Sequence, residues 1–113
     1  MAKLESKVQA DFIKKIERRF QGCIVLKNDA TYKQGVPDLL VLYGRHWAAV
    51  EMKRDEDMCF RPNQEWYLER MGSMSFSALV WPGCEEDVLD DMARAFGVGR
   101  RTRPAQPELL SLA

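Results

Sequence analysis

Apolar residues recur at Leu4, Val8, Phe12, Ile16 and Phe20, with Ile13 beside them. This i, i+4 ladder predicts an amphipathic helix over residues 4–20, basic on its other side and ended by Gly22. Residues 23–27 read as a short strand and 28–36 as a polar loop, and Pro37 forces Val36 into extended geometry. Two apolar, β-favouring runs, 39–43 and 46–53, then flank the dipeptide Gly44-Arg45, the pattern of a hairpin closed by a two-residue II′ turn. Residues 54–57 are loop. Pro62 suits the first turn of a helix that runs to about Met71 and stops at Gly72. On that helix Gln64, Tyr67, Leu68 and Met71 share one face. Residues 76–81 form a fourth strand, stopped by Pro82-Gly83. Residues 85–96 form a last helix with Val88, Leu89, Met92 and Phe96 inward, closed by Gly97. From Val98 onward no period is visible, and residues 98–113 are expected to be a disordered or partner-dependent tail.

The hairpin carries the candidate chemistry. A two-residue turn pairs Tyr43 with His46 and, counting outward, Asp38 with Glu51. Directly opposed residues share one face with Cβ atoms ~5 Å apart. Lys53, two residues past Glu51, lies on that face as well. Opposed like charges destabilise a sheet pair, and partial burial raises a carboxylate pKa. A divalent cation removes the conflict, because hard cations take carboxylate oxygens from neighbouring strands. The alternative is an edge hairpin whose acids face water. Gln64 leads an otherwise apolar stripe, where a buried amide needs partners. Glu5 borders the first helix's stripe, and as a first-turn acid it also suits the helix dipole.

Composition narrows the picture. One domain is the natural reading of 113 residues, with 46% hydrophobic and 30% charged residues. No apolar run approaches a membrane span and no signal-peptide pattern opens the chain, so a cytosolic protein is expected, in the host cytoplasm if a phage encodes it. Cys23, Cys59 and Cys84 lack disulfide or zinc-knuckle spacing. Seventeen basic residues balance seventeen acidic ones, yet they are unevenly spread. Lys14, Lys15, Arg18 and Arg19 cluster in the first helix, Arg100, Arg101 and Arg103 in the tail, and Glu85, Glu86, Asp87, Asp90 and Asp91 in the last helix. Patches decide contact with phosphates more than totals do.

The order helix, three strands, helix, strand, helix predicts an α/β domain, a mixed central sheet flanked by helices. Pro37-Asp38 followed by Glu51-Met52-Lys53, set in an αβββαβ core, resembles the PD-(D/E)xK nuclease superfamily with its restriction-endonuclease-like fold. More narrowly, Gly35-Val36-Pro37-Asp38-Leu39, Val50-Glu51-Met52-Lys53 and Gln64 with Leu68 resemble the VRR-NUC group, which includes small stand-alone phage and bacterial modules. The likeness covers residues 4 to about 82, and residues 1–97 would be the nuclease domain. Residues 4–8 and the hairpin are also similar to phage endonuclease I junction resolvases.

The resemblance implies roles. Asp38 and Glu51 would bind magnesium, or manganese in its place, with the Met52 carbonyl and Glu5 completing the shell. Lys53 would position or polarise the attacking water, and Gln64 would support the site. Lys14, Lys15, Arg18, Arg19, Arg54, Arg61 and the tail arginines would face DNA, while Asp55, Glu56 and Asp57 would repel it unless they point away. The lone His46 sits beside a turn, without the partners an HNH-type site needs. The expected activity is metal-dependent DNA endonuclease cleavage, selective for Holliday junctions or other branched DNA, by a homodimer to which Trp47, Trp66, Trp81, Met58 and Phe60 offer surface. The alternatives are a catalytically silent nucleic-acid binder of the same fold, or a nicking nuclease or exonuclease on simple ends.

Overall fold

The computed structural model describes residues 2–29, 31–55 and 60–98, with residues 2–5 described by backbone alone. Its elements follow the predicted order: α1 (Ala2–Arg19), β1 (Ile24–Lys27), β2 (Leu39–Tyr43), β3 (His46–Met52), α2 (Gln64–Met74), β4 (Phe76–Val80) and α3 (Glu85–Ala95). The strands form one mixed α/β sheet in the order β1-β2-β3-β4. The first three strands are antiparallel, and β4 joins β3 in parallel after the α2 crossover. A parallel partner needs such a crossover, because a tight turn cannot return the chain in the same direction.

Alternation along the strands builds two unequal layers. Leu39, Val41 and Tyr43 of β2, Ala48 and Val50 of β3 and Val80 of β4 are buried with Phe12, Ile16 and Phe20 of α1 and Val88, Leu89, Met92 and Phe96 of α3. Phe20, Tyr43 and Phe96 meet ring to ring at 5.4–5.8 Å. On the opposite face α2 packs against β3 and β4. Ile24 and Leu26, on the edge strand β1, remain exposed. Lys15 reaches Glu85 (2.9 Å) and Arg19 reaches Asp90 (2.7 Å), tying α1 to α3.

The hairpin has the predicted register, with Tyr43 opposite His46 and Leu39 opposite Val50. Gly44 has φ 62° while Arg45 does not enter the left-handed region, the pair of signs a II′ turn requires. His46 stacks on Phe96 at this closed end, remote from the open end where the acids lie. Cys23 and Cys84 are half-buried free thiols, and burial pushes the Cys23 thiol up to about 11. Cys59, Met58, Glu56 and Asp57 lie outside the described residues, as do Arg100, Arg101 and Arg103. Among the described residues no helix is long and apolar enough to cross a membrane.

Two boundaries of α2 differ from the sequence expectation. Pro62 lies ahead of the helix, because Asn63 adopts a left-handed φ of 69° that no helical turn accommodates. Gly72 is passed through, since the helix runs on to Met74. A Cβ there would sit 2.8 Å from Ser77 Oγ, and that hydroxyl is fixed by donating to the Leu68 carbonyl (2.6 Å). Gly72 thus serves close helix–strand approach. Alanine normally gains about 1 kcal/mol over glycine inside a helix, but overpacking costs about 1–3 kcal/mol. Gly72→Ala should therefore lower stability in urea by roughly 1 kcal/mol, whereas in a Ser77→Ala background the same change should raise it. A stabilising Gly72→Ala in the wild-type background would contradict the close contact.

Candidate active site

The site lies at the open end of the hairpin, just beyond the last ladder pair. Asn28, after β1, donates from its backbone N–H to the Asp38 carbonyl (2.8 Å) and from Nδ2 to the Pro37 carbonyl (2.7 Å). These bonds hold the Pro37-Asp38 backbone against the sheet. Across the hairpin, the Asp38 N–H donates to Glu51 Oε1 (3.2 Å) and the Met52 N–H donates to Asp38 Oδ2 (2.9 Å). Each carboxylate accepts a backbone hydrogen bond from the other's strand.

Lys53 follows β3 and is anchored by its N–H to the Val80 carbonyl (2.8 Å). Its ammonium donates to Gln64 Oε1 (2.7 Å) and lies 5.7 Å from the centre of the Phe60 ring, within cation–π range. Gln64 Oε1 also accepts from the Arg61 N–H (2.7 Å), while Nε2 donates to Glu51 Oε2 (2.7 Å). The orientation of the amide is fixed by this network: its oxygen meets two donors and its nitrogen meets a carboxylate. Glu51, Lys53 and Gln64 are 5%, 7% and 5% exposed, so each bond acts in a poorly screened environment.

Burial raises the Glu51 carboxyl to about 7, and the neighbouring Asp38 charge pushes the same way against the lowering influence of Lys53. Asp38, Met52, Lys53 and Arg54 line a pocket of about 190 Å³ whose other wall is Ser6, Val8 and Gln9 of α1. Among the described residues no three His, Cys, Asp or Glu side chains converge as a ready metal cluster. The two opposed carboxylates are the anionic core of the site.

The structure thus brings together Asp38, Glu51, Met52, Lys53 and Gln64. Glu5 lies in the first turns of α1, and its side chain is outside those described. Ser6 and Gln9 were missed by sequence reasoning, which read Phe60 only as dimer surface. The signal for Gln9 was its place one helical turn after Glu5, on the same face; no sequence signal marks Phe60. Arg54 lines the pocket and Arg61 is exposed just ahead of α2. Lys14 and Arg18 are exposed on α1, whereas Lys15 and Arg19 are engaged with α3.

Comparison with known proteins bears on this geometry. No protein-family model matches the sequence, and no curated protein does. A solved structure described as a VRR_NUC domain protein superposes with a TM-score of 0.61, covering 90% of this chain and 95% of that chain at 18% identity. A second, described as a VRR_NUC domain, gives 0.60 over 80% of this chain and 94% of its own, at 27% identity. The chain has the VRR_NUC fold. The fold's restriction-endonuclease-like sheet of three antiparallel strands and a parallel crossover partner presents Asp38 and Glu51 at adjacent strand ends, and α2 carries Gln64 to them.

The raised Glu51 carboxyl has a consequence for stability. Its folded pKa lies above the unfolded value, so between the two the native state holds more protons than the unfolded chain. The contribution is present below about pH 4.5 and is lost as pH rises towards about 7. Metal-free protein should therefore lose urea stability across that window, and Glu51→Gln should flatten the slope. A wild-type curve that rises over the same window, unchanged in the variant, would contradict the assignment.

Proposed function

We propose that this protein is a metal-dependent DNA endonuclease of the PD-(D/E)xK type that acts as a homodimer on Holliday junctions or other branched DNA. One observation carries the reading: two carboxylates opposed on adjacent strands beside a buried lysine, with Asp38 and Lys53 lining a pocket. The nuclease domain implied by the neighbouring VRR_NUC structures supports it.

The donor set fits a hard divalent cation. Asp38 and Glu51 supply carboxylate oxygens, and the mutual repulsion that helps to raise Glu51 is what a cation between them would relieve. They would hold magnesium or manganese, with the Met52 carbonyl and Glu5 as further oxygen donors. When bound, such an ion lowers the pKa of a water and offsets charge on the scissile phosphate. The chain's own residues do the rest. Lys53 presents a compact cation with rotatable donors to the water and the phosphate oxygens. Gln64 and the Phe60 ring hold that ammonium in place before substrate arrives, so little reorganisation is needed in the transition state. Arg54, at the pocket rim, and Arg61, Lys14 and Arg18 offer charge to the DNA backbone.

The branched substrate and the dimer are linked. One site per chain cuts one strand, and a four-way junction has two-fold symmetry that a C₂ dimer matches. Trp66, 56% exposed, and the exposed Ile24, Leu26 and Phe60 provide apolar surface for a second copy.

Four outcomes are expected. Saturating Mg²⁺ or Mn²⁺ should raise the melting temperature, by about 2.7 kcal/mol of stability at a hundredfold excess over Kd. Cleavage of a four-way junction should need that metal and exceed cleavage of linear duplex, flap and single-stranded DNA. Lys53→Ala should slow cutting by roughly a hundredfold or more while keeping the metal-induced gain. Cutting in excess chelator would overturn the metal, and wild-type rates from Lys53→Ala would remove the lysine from the mechanism. In sedimentation equilibrium at micromolar concentration a dimer is expected, alone or with junction DNA; a monomer under both conditions would leave a nicking nuclease.

A further inference from the structure

Gly35 stands apart from Gly44, Gly72, Gly83 and Gly97. A Cβ built on Gly44, Gly83 or Gly97 would meet open space, and on Gly72 it would meet a serine side chain. On Gly35 it would lie 2.7 Å from the Asn63 carbonyl carbon, 2.7 Å from Asn63 Cβ and 2.7 Å from the Pro62 carbonyl oxygen. Two of these three atoms are backbone, which cannot swing aside. Gly35 itself has φ 93°, a conformation that L side chains avoid. The loop between β1 and β2 is therefore pressed, backbone to backbone, onto the turn that precedes α2.

That turn is itself unusual. Among the described residues Asn63 is the one non-glycine with positive φ, at 69°, and its Nδ2 reaches back to the Gln34 carbonyl at 3.5 Å. The next residue is Gln64. Its N–H donates to the Arg61 carbonyl (3.1 Å), and its Oε1 accepts from the Arg61 N–H (2.7 Å). The amide that bridges Lys53 and Glu51 is thus bound to the same turn that Gly35 supports. The C-terminal part of α2 is held separately, by Leu68 and Gly72 against Ser77 of β4. Gly35 also lies three residues before Asp38, whose backbone Asn28 holds, so the loop that Gly35 seats runs directly into the site.

We propose that Gly35 is a positioning residue: its bare Cα seats the β1–β2 loop on the Pro62-Asn63 turn, and this seat aims the Gln64 amide at Glu51 and Lys53. The effect on cleavage rests on the nuclease reading above; the effect on the Gln64 amide does not.

The test uses metal-free, ¹⁵N-labelled full-length protein. The Gln64 side-chain amide pair is identified by its loss in Gln64→Glu. In wild type it should exchange slowly with solvent and sit apart from exposed glutamines, since Nε2 donates to a buried carboxylate. Gly35→Ala should move this pair towards the exposed positions and speed its exchange. Val88→Ala, which loosens the α3 core elsewhere, should leave it in place. On junction DNA with Mg²⁺, Gly35→Ala should lower kcat by about ten- to a hundredfold, the scale of an ångström-sized misplacement, with little change in KM. The Gly35→Ala/Gln64→Ala double variant should cut no more slowly than Gln64→Ala, because both changes remove one function. Should Gly35→Ala not fold, Asn63→Ala is expected to shift the amide and kcat in the same direction. An unmoved Gln64 pair in the folded Gly35→Ala or Asn63→Ala protein would overturn the proposal, as would losses that multiply in the double variant. A moved pair in Gly35→Ala, when the wild type itself cuts no DNA, would support the positioning role and refute the nuclease reading.

Discussion

The architecture around the site depends on holding two carboxylates opposite one another, Glu51 buried and Asp38 half-buried. Asp38 and Glu51 face each other one step beyond the hairpin ladder, and each accepts a backbone N–H from the other's strand. Those bonds favour the charged forms, while burial and the mutual charge oppose them; for Glu51 the opposing effects win. Lys53 adds compensating charge, and Gln64 joins the lysine to Glu51 through one amide. A buried network in which each member has a partner is rigid, and a half-satisfied one is costly. The arrangement is thus costly for folding by itself, a conflict of the kind that functional sites retain.

The rest of the fold makes that conflict sustainable. Strands β2 and β3 are the inner pair of the sheet, and one of its faces is closed by α1 and α3 around Phe12, Ile16, Phe20 and Met92. Backbone held on both sides cannot spread to let the acids separate. The parallel β4 takes the Lys53 N–H, so the lysine's backbone is fixed at the point where its side chain must begin. Helix α2 then has a single task at its first residue: to bring an amide over the end of β3. Close approaches that only glycine permits, at Gly35 and at Gly72, set where that helix starts and how near the sheet it lies.

Charge across the molecule follows a related logic. The acids of α3 lie against the basic side of α1, so Lys15 and Arg19 join two helices and the two patches of opposite sign partly cancel. Partly exposed bridges of this kind contribute little stability each, but they take Lys15 and Arg19 up against α3. Lys14, Arg18, Arg54 and Arg61 are exposed, and Arg54 is the one at the pocket.

Much of this was fixed by local chemistry and therefore legible in the sequence. The i, i+4 stripe of α1, the strand runs and the Gly44-Arg45 turn determined the elements, because periodicity of two or 3.6 decides which side chains can be buried together. A two-residue turn leaves one register, so the Asp38–Glu51 opposition was implied by counting alone, and Lys53 by the period of two. What the sequence could not decide was anything that depends on a close approach between distant segments. That Gly72 would be crossed by its helix depends on Ser77, five residues away on the next strand. The start of α2 depends on Asn63 meeting Gly35, 28 positions earlier. The buried Gln64 amide was flagged as needing partners, but only the packed structure chose Glu51, Lys53 and the Arg61 backbone for it. Periodicity reports which face of an element is apolar; steric contact between elements reports where their ends come to rest, and the site is built from those ends.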